Sequence, residues 1–401
     1  MIKAITVDQV RVGMYLHEIR GSWINNPFWR SAFLLEDAAD IEILRKSKIS
    51  EILIDLDKGL DVADDEEQSP PQKTDVTEPA AAKSPAKPQK KLSAADERAN
   101  AGKIIDSSRI AVTSMFNEAR MGKAVDAVGM RPLVEEITAS ISRNSGALIG
   151  LARLKTTDDY TYMHSVAVCA LMIALAQQMG LNDEETRQAG MAGLLHDIGK
   201  MGVPQDLLQF AGSLNQNEFQ KIKQHPVVGH AILQKMEGVD AVTLDVCLHH
   251  HERMDGTGYP HHLLDEQISL FARMGAVCDV YDAITSNRPY KLGWGPGISL
   301  RKMSEWKGHF DQKVFQNFIK TVGIFPIGSL VLLESGRLAV VTDSHESSLL
   351  TPIVKVFFST KSMARITEET IDLSKSYAKD KIISHEDPGK WDIKNFNEIW
   401  V

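Results

Sequence analysis

Between Lys58 and about Lys91 the chain gives up nearly all its large apolar residues and fills with Asp, Glu, Pro, Ala, Lys and Ser, as in Asp64-Asp65-Glu66-Glu67-Gln68-Ser69-Pro70-Pro71. A tract of this kind cannot bury enough apolar surface to offset the entropy lost on ordering it, so it reads as a disordered, solvated tether with no binding role. The remainder must therefore fold as separate bodies. At 401 residues, and with roughly 150 residues per domain, two or three domains are expected. The reading is a mainly α protein: a small α+β domain over residues 1–57, a linker over 58–95, a helical domain over 96–323 and a β-rich extension over 324–401.

Periodicity supports each part. Glu51-Ile52-Leu53-Ile54-Asp55-Leu56 has the character of a strand, whereas Asp37 to Lys48 carries the helical spacing Ile41, Leu44. Trp23, Phe28 and Trp29 cluster around Pro27 and are read as core of the small domain. Beyond the linker, Leu133, Ile137 and Ile141 form one helical stripe. Asn182 with Glu185 makes a helix-starting capping pair, and Pro226 suits the first turn of another helix. Helices are expected to continue to about Val322. Then Leu330–Leu333, Leu338–Val341 and Val354–Phe358 read as short strands, the first two joined by Glu334-Ser335-Gly336-Arg337.

Bulk properties exclude several functions. The formal charge of −8 disfavours a nucleic-acid polymer or an anionic membrane surface as partner, since both reward surplus Lys and Arg. No apolar run approaches the roughly 18 residues of a membrane span. Residues 1–8 lack the basic start and apolar core of a secretory signal, so a cytoplasmic protein is expected. Cys169, Cys247 and Cys278 are read as buried free thiols.

The helical region places chemistry-bearing side chains among small and apolar neighbours, an unusual use of positions near a core. They are His164, the doublet His196-Asp197 with Lys200 close behind, His225 before Pro226, the triplet His249-His250-His251, Asp279, and the cationic Arg288-Pro289-Tyr290-Lys291. Taken singly each has a bland explanation: a satisfied core histidine, an exposed histidine run, a surface ion pair. Together they suit a divalent cation, because imidazoles and carboxylates bind Mn, Fe, Ni or Zn, while thiolate-rich zinc sites need more cysteines. The donors exceed the three protein ligands typical of one catalytic zinc, so two ions sharing a carboxylate fit better. Such a pair, about 3.5–4 Å apart, suits phosphoester cleavage.

His196-Asp197-Ile198-Gly199-Lys200, together with His250-His251-Glu252-Arg253-Met254-Asp255-Gly256-Thr257-Gly258-Tyr259-Pro260 and the block from Asp279 to Lys291, resembles the HD-GYP family of bacterial signalling phosphodiesterases. The resemblance runs from about Ser107 to Gly323. Val12-Gly13-Met14-Tyr15 with Ser22-Trp23 and Pro27-Phe28 is similar to an uncharacterised domain found ahead of some members. The resemblance implies hydrolysis of cyclic di-GMP to pGpG, with further cleavage to GMP left open, and two divalent ions, Fe or Mn.

It further implies His164, His196, Asp197, His225, His250, His251 and Asp279 as metal ligands, with Asp197 bridging. Lys200 is implied as an electrostatic or proton-donating partner; its bland alternative is an ion pair with a ligand carboxylate. Arg288 and Lys291 are implied as substrate contacts, at spacings that place them near one end of a helix shared with Asp279 and Asp282. The loop of Gly256, Gly258, Tyr259 and Pro260 is read as structural and partner-facing, a docking place for diguanylate cyclase domains, and an oligomer is open. His249, His230, His261 and His262 fall outside the ligand set. Some members carry a glutamate one turn before the first histidine to support a third metal; Tyr160 stands there, so two metals are expected, although Asp158 or Asp159 could substitute. The alternatives are an HD-type hydrolase acting on another nucleotide and a non-catalytic scaffold that binds a cyclic dinucleotide or a partner.

Overall fold

The computed structural model describes residues 2–20, 33–35, 38–46, 51–61, 94–122, 126–152, 160–208, 210, 215–286, 293–345, 348–391, 393 and 396–399. The chain divides into two compact units, one of residues 1–90 with 346–348, the other of 91–345 with 349–401.

In the first unit β1 (Ile2–Thr6), β2 (Tyr15–Arg20), β3 (Phe33–Leu34) and β4 (Glu51–Asp55) form one antiparallel sheet of order β1-β4-β2-β3, and α1 (Ala38–Lys46) lies between β3 and β4 in sequence. Strand alternation sends Ile52 and Ile54 to one face, where they pack with Leu16, Leu35 and Leu44. The expected α+β character is observed. Trp23, Phe28 and Trp29 lie outside the described residues.

The second unit opens with two long helices, α2 (Ala94–Arg120) and α3 (Arg131–Ala152). They are fastened by buried Glu97, which accepts from Arg143 Nε at 2.7 Å and from Ser140 Oγ at 2.9 Å. Burial works to raise the Glu97 carboxyl, but the Arg143 guanidinium and the hydroxyl outweigh it and hold it below its ordinary value. α3 breaks at Asn144, whose side chain caps the restarted turn by accepting from Ala147 N at 3.1 Å.

α4 (Tyr160–Gln178) is apolar on every face, and residues 163–176 are all buried, as a central helix must be. α5 (Asp183–Leu195) packs against it and begins at the expected capping box of Asn182 and Glu185. A tight 3-10 turn, Ile198–Gly202, follows. Then come α6 (Gln205–Leu208), α7 (Gln216–Ile222), α8 (His225–Leu233, with Pro226 in its first turn), α9 (Ala241–His249), α10 (Leu270–Thr285), α11 (Pro296–Glu305) and α12 (Gln312–Val322). Helix ends are set by local side chains: Asp240, Ser269 and Asp311 accept from the third backbone N–H of α9, α10 and α12.

One contact decides where the site forms. A Cβ on Gly199 would come within 1.9 Å of His225 O and 2.4 Å of Gly229 N. The 3-10 turn therefore lies backbone to backbone on α8, which no other residue allows.

The chain closes in β5 (Leu330–Leu333), β6 (Arg337–His345), β7 (Ser348–Ser359), β8 (Ala364–Asp372) and β9 (Ile382–His385), a sheet of order β8-β7-β6-β5-β9. The first three strands stand where the apolar runs placed them. β8 has no such run because most of its residues are exposed and polar, and short β9 borrows its pairing from β5. Cys169, Cys247 and Cys278 are buried and free. Among the described residues no helix is long and apolar enough to cross a membrane.

Candidate metal centre

Each candidate ligand sits at an element end or on an inward helical face. His164 is in the first turn of α4, and His196-Asp197 joins the end of α5 to the 3-10 turn. His225 opens α8, His250 and His251 follow α9, and Asp279 faces inward from α10. His164, His196, Asp197, His225, His250 and Asp279 are all buried; His251 is partly exposed.

The rings are oriented by what holds Nδ1. His196 Nδ1 donates to Gly193 O at 2.8 Å, His225 Nδ1 to Ile222 O at 2.7 Å, and His250 Nδ1 lies 3.0 Å from Val246 O and 3.1 Å from Cys247 O. A carbonyl only accepts, so these imidazoles carry a hydrogen on Nδ1 and turn Nε2 inward. His164 differs: its Nδ1 lies 2.6 Å from the carboxylate Oδ2 of Asp282.

The inward atoms gather into two nests. His164, His196 and Asp279 bring ligand atoms within 4.8 Å of one another, as do His225, His250 and His251. Asp197 lies between them. Its Oδ2 is 3.4 Å from both His164 Nε2 and His196 Nε2, while Oδ1 is 3.2 Å from His225 Nε2 and 3.9 Å from His250 Nε2. Asp279 is split likewise, with Oδ1 2.9 Å from His164 Nε2 and Oδ2 3.6 Å from His251 Nδ1. The seven ligand candidates thus converge, and two carboxylates face both nests.

The donor set fits a pair of cations. His225 Nε2 and His250 Nε2 face each other at 3.3 Å, with each Nδ1 held by a backbone carbonyl on the far side of its ring. His196 Nε2 and Asp197 Oδ1 are buried without a hydrogen-bond partner. Orphaned buried polar atoms are costly, and a divalent cation is what would satisfy this set at once.

Electrostatics agree at both carboxylates, His250 and His251, whereas at His164 burial is outweighed by the Asp279 and Asp282 carboxylates, which raise the imidazole. Burial works to raise the Asp197 carboxyl, but Lys200 and the surrounding imidazoles hold it well below the carboxylate range. Burial likewise opposes the Asp279 charge, and His164 and His251 outweigh it. Burial and neighbouring imidazoles push His250 well down, and burial pushes His251 down to about 3. Anionic carboxylates and neutral imidazoles are the forms that bind metal. Burial raises all three thiols, so they stay protonated and inert.

Lys200 folds back through the 3-10 turn and donates to Asp197 Oδ2. Lys200 stands three residues beyond Asp197, and the tight 3-10 turn delivers its ammonium directly onto the carboxylate that lies between the nests. The Gly-Tyr-Pro loop also closes on the site. A Cβ on Gly258 would meet backbone of Glu252 and Arg253 at 2.4 Å, so the loop packs tightly on the chain that follows His251. Tyr259 stacks on the His251 ring (centroids 4.7 Å, 29°), with Lys223 Nζ 5.0 Å from the tyrosine centroid. Buried Glu252 accepts from His261 N at 2.7 Å and Leu263 N at 3.1 Å. Sequence reasoning gave Tyr259, Glu252 and Asp282 no such roles, although all three stand inside the motif blocks.

α10 ends at Thr285, before Arg288 and Lys291, which fall outside the described residues together with Asp158 and Asp159.

The HD domain model matches residues 138–314, and the domain of unknown function DUF3391 matches residues 2–129. A cyclic di-GMP phosphodiesterase of Pseudomonas aeruginosa is 51% identical over 402 residues, spanning 100% of this chain and 96% of that protein. The chain belongs to the HD-GYP family. Other relatives of this HD-GYP protein align over part of its length. A cyclic di-GMP phosphodiesterase response regulator of Xanthomonas campestris is 40% identical over 141 residues (35% of this chain, 37% of that protein). The 3′3′-cGAMP-specific phosphodiesterase 1 of Vibrio cholerae is 34% identical over 163 residues (40% and 38%).

Proposed function

We propose that this HD-GYP protein is a metal-dependent phosphodiesterase that hydrolyses cyclic di-GMP to linear pGpG in the cytoplasm. The observation that carries the reading is the pair of imidazole nests sharing Asp197 and Asp279, in a chain 51% identical along its whole length to a cyclic di-GMP phosphodiesterase.

His164 and His196 with Asp279 would hold one cation, and His225, His250 and His251 the other, with Asp197 offering one oxygen to each. Imidazole and carboxylate donors suit Mn, Fe, Ni or Zn, and the family resemblance narrows these to Fe or Mn. When bound, such a pair acidifies water and neutralises charge on the phosphoryl oxygens. The protein fixes every imidazole before substrate arrives, through carbonyls at three rings, Asp282 at the fourth and Tyr259 stacked on the fifth. Lys200 holds positive charge at the shared carboxylate, where it can meet a phosphoryl or leaving oxygen. Arg288 and Lys291 supply the anion-recognising rim, and the Gly256–Pro260 loop offers a docking edge for a diguanylate cyclase domain.

The test is product chromatography after incubation of the metal-loaded protein with cyclic di-GMP, 3′3′-cGAMP and a small generic phosphodiester. Cyclic di-GMP should be consumed first, with pGpG as product and chelator abolishing turnover. The likeness to a 3′3′-cGAMP-specific enzyme makes faster 3′3′-cGAMP cleavage the outcome that would replace the substrate, and binding of cyclic di-GMP without cleavage would leave a scaffold.

A further inference from the structure

Of the four histidines whose Nδ1 is anchored away from the nests, three lean on backbone carbonyls and one on a charged group. His164 Nδ1 is 2.6 Å from Asp282 Oδ2, across 118 residues of sequence, and both side chains are buried. Asp282 is itself held in place. It lies one helical turn after Asp279 on α10, its Oδ1 is 3.4 Å from Ser286 Oγ, and its backbone oxygen receives Ser286 N at 3.1 Å. The side chain is thus neither a ligand candidate nor a surface charge.

We propose that Asp282 is a positioning residue for the metal centre: it fixes the His164 ring and makes Nε2 a stronger donor toward the cation of the His164–His196–Asp279 nest. The inference rests on the metal-dependent reading above. A carboxylate that accepts the hydrogen of a ligand imidazole sets its tautomer and increases the electron density at the opposite nitrogen, and losing such a partner costs about 10–100-fold in metal affinity. A carbonyl does the first of these and less of the second. The two cation positions are therefore unequal: among the described residues, the His164 side alone has a buried carboxylate behind its ligand ring.

A cavity of about 40 Å³ is lined by Asp282 together with Thr285, Ser145, Thr321 and, from the β extension, Ile327 and Ser344. Ser344 is exposed and Ser145 and Thr321 are half-exposed. A water needs roughly 10–15 Å³ measured this way, so an anion as small as formate has a route to the place a deleted carboxyl would leave.

The experiment titrates Mn²⁺ into metal-free wild type, Asp282→Ala and Asp282→Asn against a competing chelator, with metal content per chain and melting temperature recorded. It is repeated in formate and in chloride of equal ionic strength. Asp282→Ala should weaken one of the two binding steps by about 10–100-fold and leave the other unchanged. Formate should restore part of that loss while leaving wild type unmoved. Asp282→Asn, which keeps the shape and a neutral acceptor, should lose less at an unchanged melting temperature, and it carries the test if the alanine variant fails to fold.

Unchanged Mn²⁺ affinity in either folded variant overturns the proposal. So does an equal loss at both steps, or a loss in Asp282→Ala that formate does not touch, since either marks a merely structural role. Wild type that binds no divalent cation overturns both this inference and the metal-dependent reading. Wild type that binds two but spares cyclic di-GMP overturns the substrate alone and leaves the Asp282 result standing.

Discussion

Two sets of imidazoles meet at the end of α9, one residue apart. His250 turns inward with Nδ1 on the α9 carbonyls and Nε2 toward His225. His249 turns outward: its Nδ1 lies 2.7 Å from Asp245 Oδ1, and its Nε2 is 3.0 Å from His261 Nδ1. Asp245 also receives the hydroxyl of Ser269, the residue that caps α10. The outer set thus staples α9, α10 and the segment after Pro260 using partners it already has. The inner set spends each Nδ1 the same way but turns its remaining nitrogens toward one another and toward the carboxylates of Asp197 and Asp279. Ligand and bystander share residue type and position; they differ in whether the neighbours consume the second nitrogen.

The sharpest way to break this comparison is Asp197→Ala. Removing the carboxylate that faces both nests should cost both metals and bring hydrolysis of cyclic di-GMP to background, because two divalent cations lose their shared counter-charge. Full metal content in the purified variant would show that the nests hold their cations without it. Lys200→Ala should come next, with metals retained and turnover down about 10²–10³-fold, the scale of one lost transition-state donor. Because Lys200 donates to Asp197 Oδ2, a variant whose turnover survives while its metal affinity changes would reduce the lysine to an ion-pair partner.

Arg288→Ala should raise KM for cyclic di-GMP about tenfold, the lower end of a charged hydrogen bond. kcat should hold, and a small generic phosphodiester should be less affected. Steady-state kinetics on both substrates at one salt concentration decides it, since screening blurs an exposed charge. Equal losses on both substrates would remove it from the dinucleotide rim. The smallest effect belongs to the outer set: His249→Ala should leave two metals per chain and turnover within about twofold, while lowering stability by about 0.5–1.5 kcal/mol for its lost hydrogen bonds. Loss of a metal in that variant would dissolve the distinction between the two sets.

Much of the scaffold was legible in the sequence because it is written in short-range patterns. The Asn182–Glu185 box, Pro226 in a first turn and the 133–137–141 stripe each depend on residues within a few positions, so periodicity and capping rules reach them. Strands β5 to β7 carried apolar runs; β8, with most residues exposed and polar, and β9, paired only through β5, carried no such signal. The candidate ligands were readable as a motif, and the structure gathers the same seven side chains into one place.

What the sequence by itself determined is the inventory: a polar tract poor in large apolar residues, helices with defined ends, and histidines and aspartates spent on apolar ground. Only the tertiary structure decided how that inventory works. Gly199 lets the 3-10 turn touch α8, so that Asp197 reaches His225, and α10 crosses α4 so that Asp282 stands behind His164 although 118 residues separate them. Local rules extend over a turn or two of helix. The orientation of an imidazole is set by whichever acceptor the packed core brings to its far nitrogen, and that acceptor can come from anywhere in the chain.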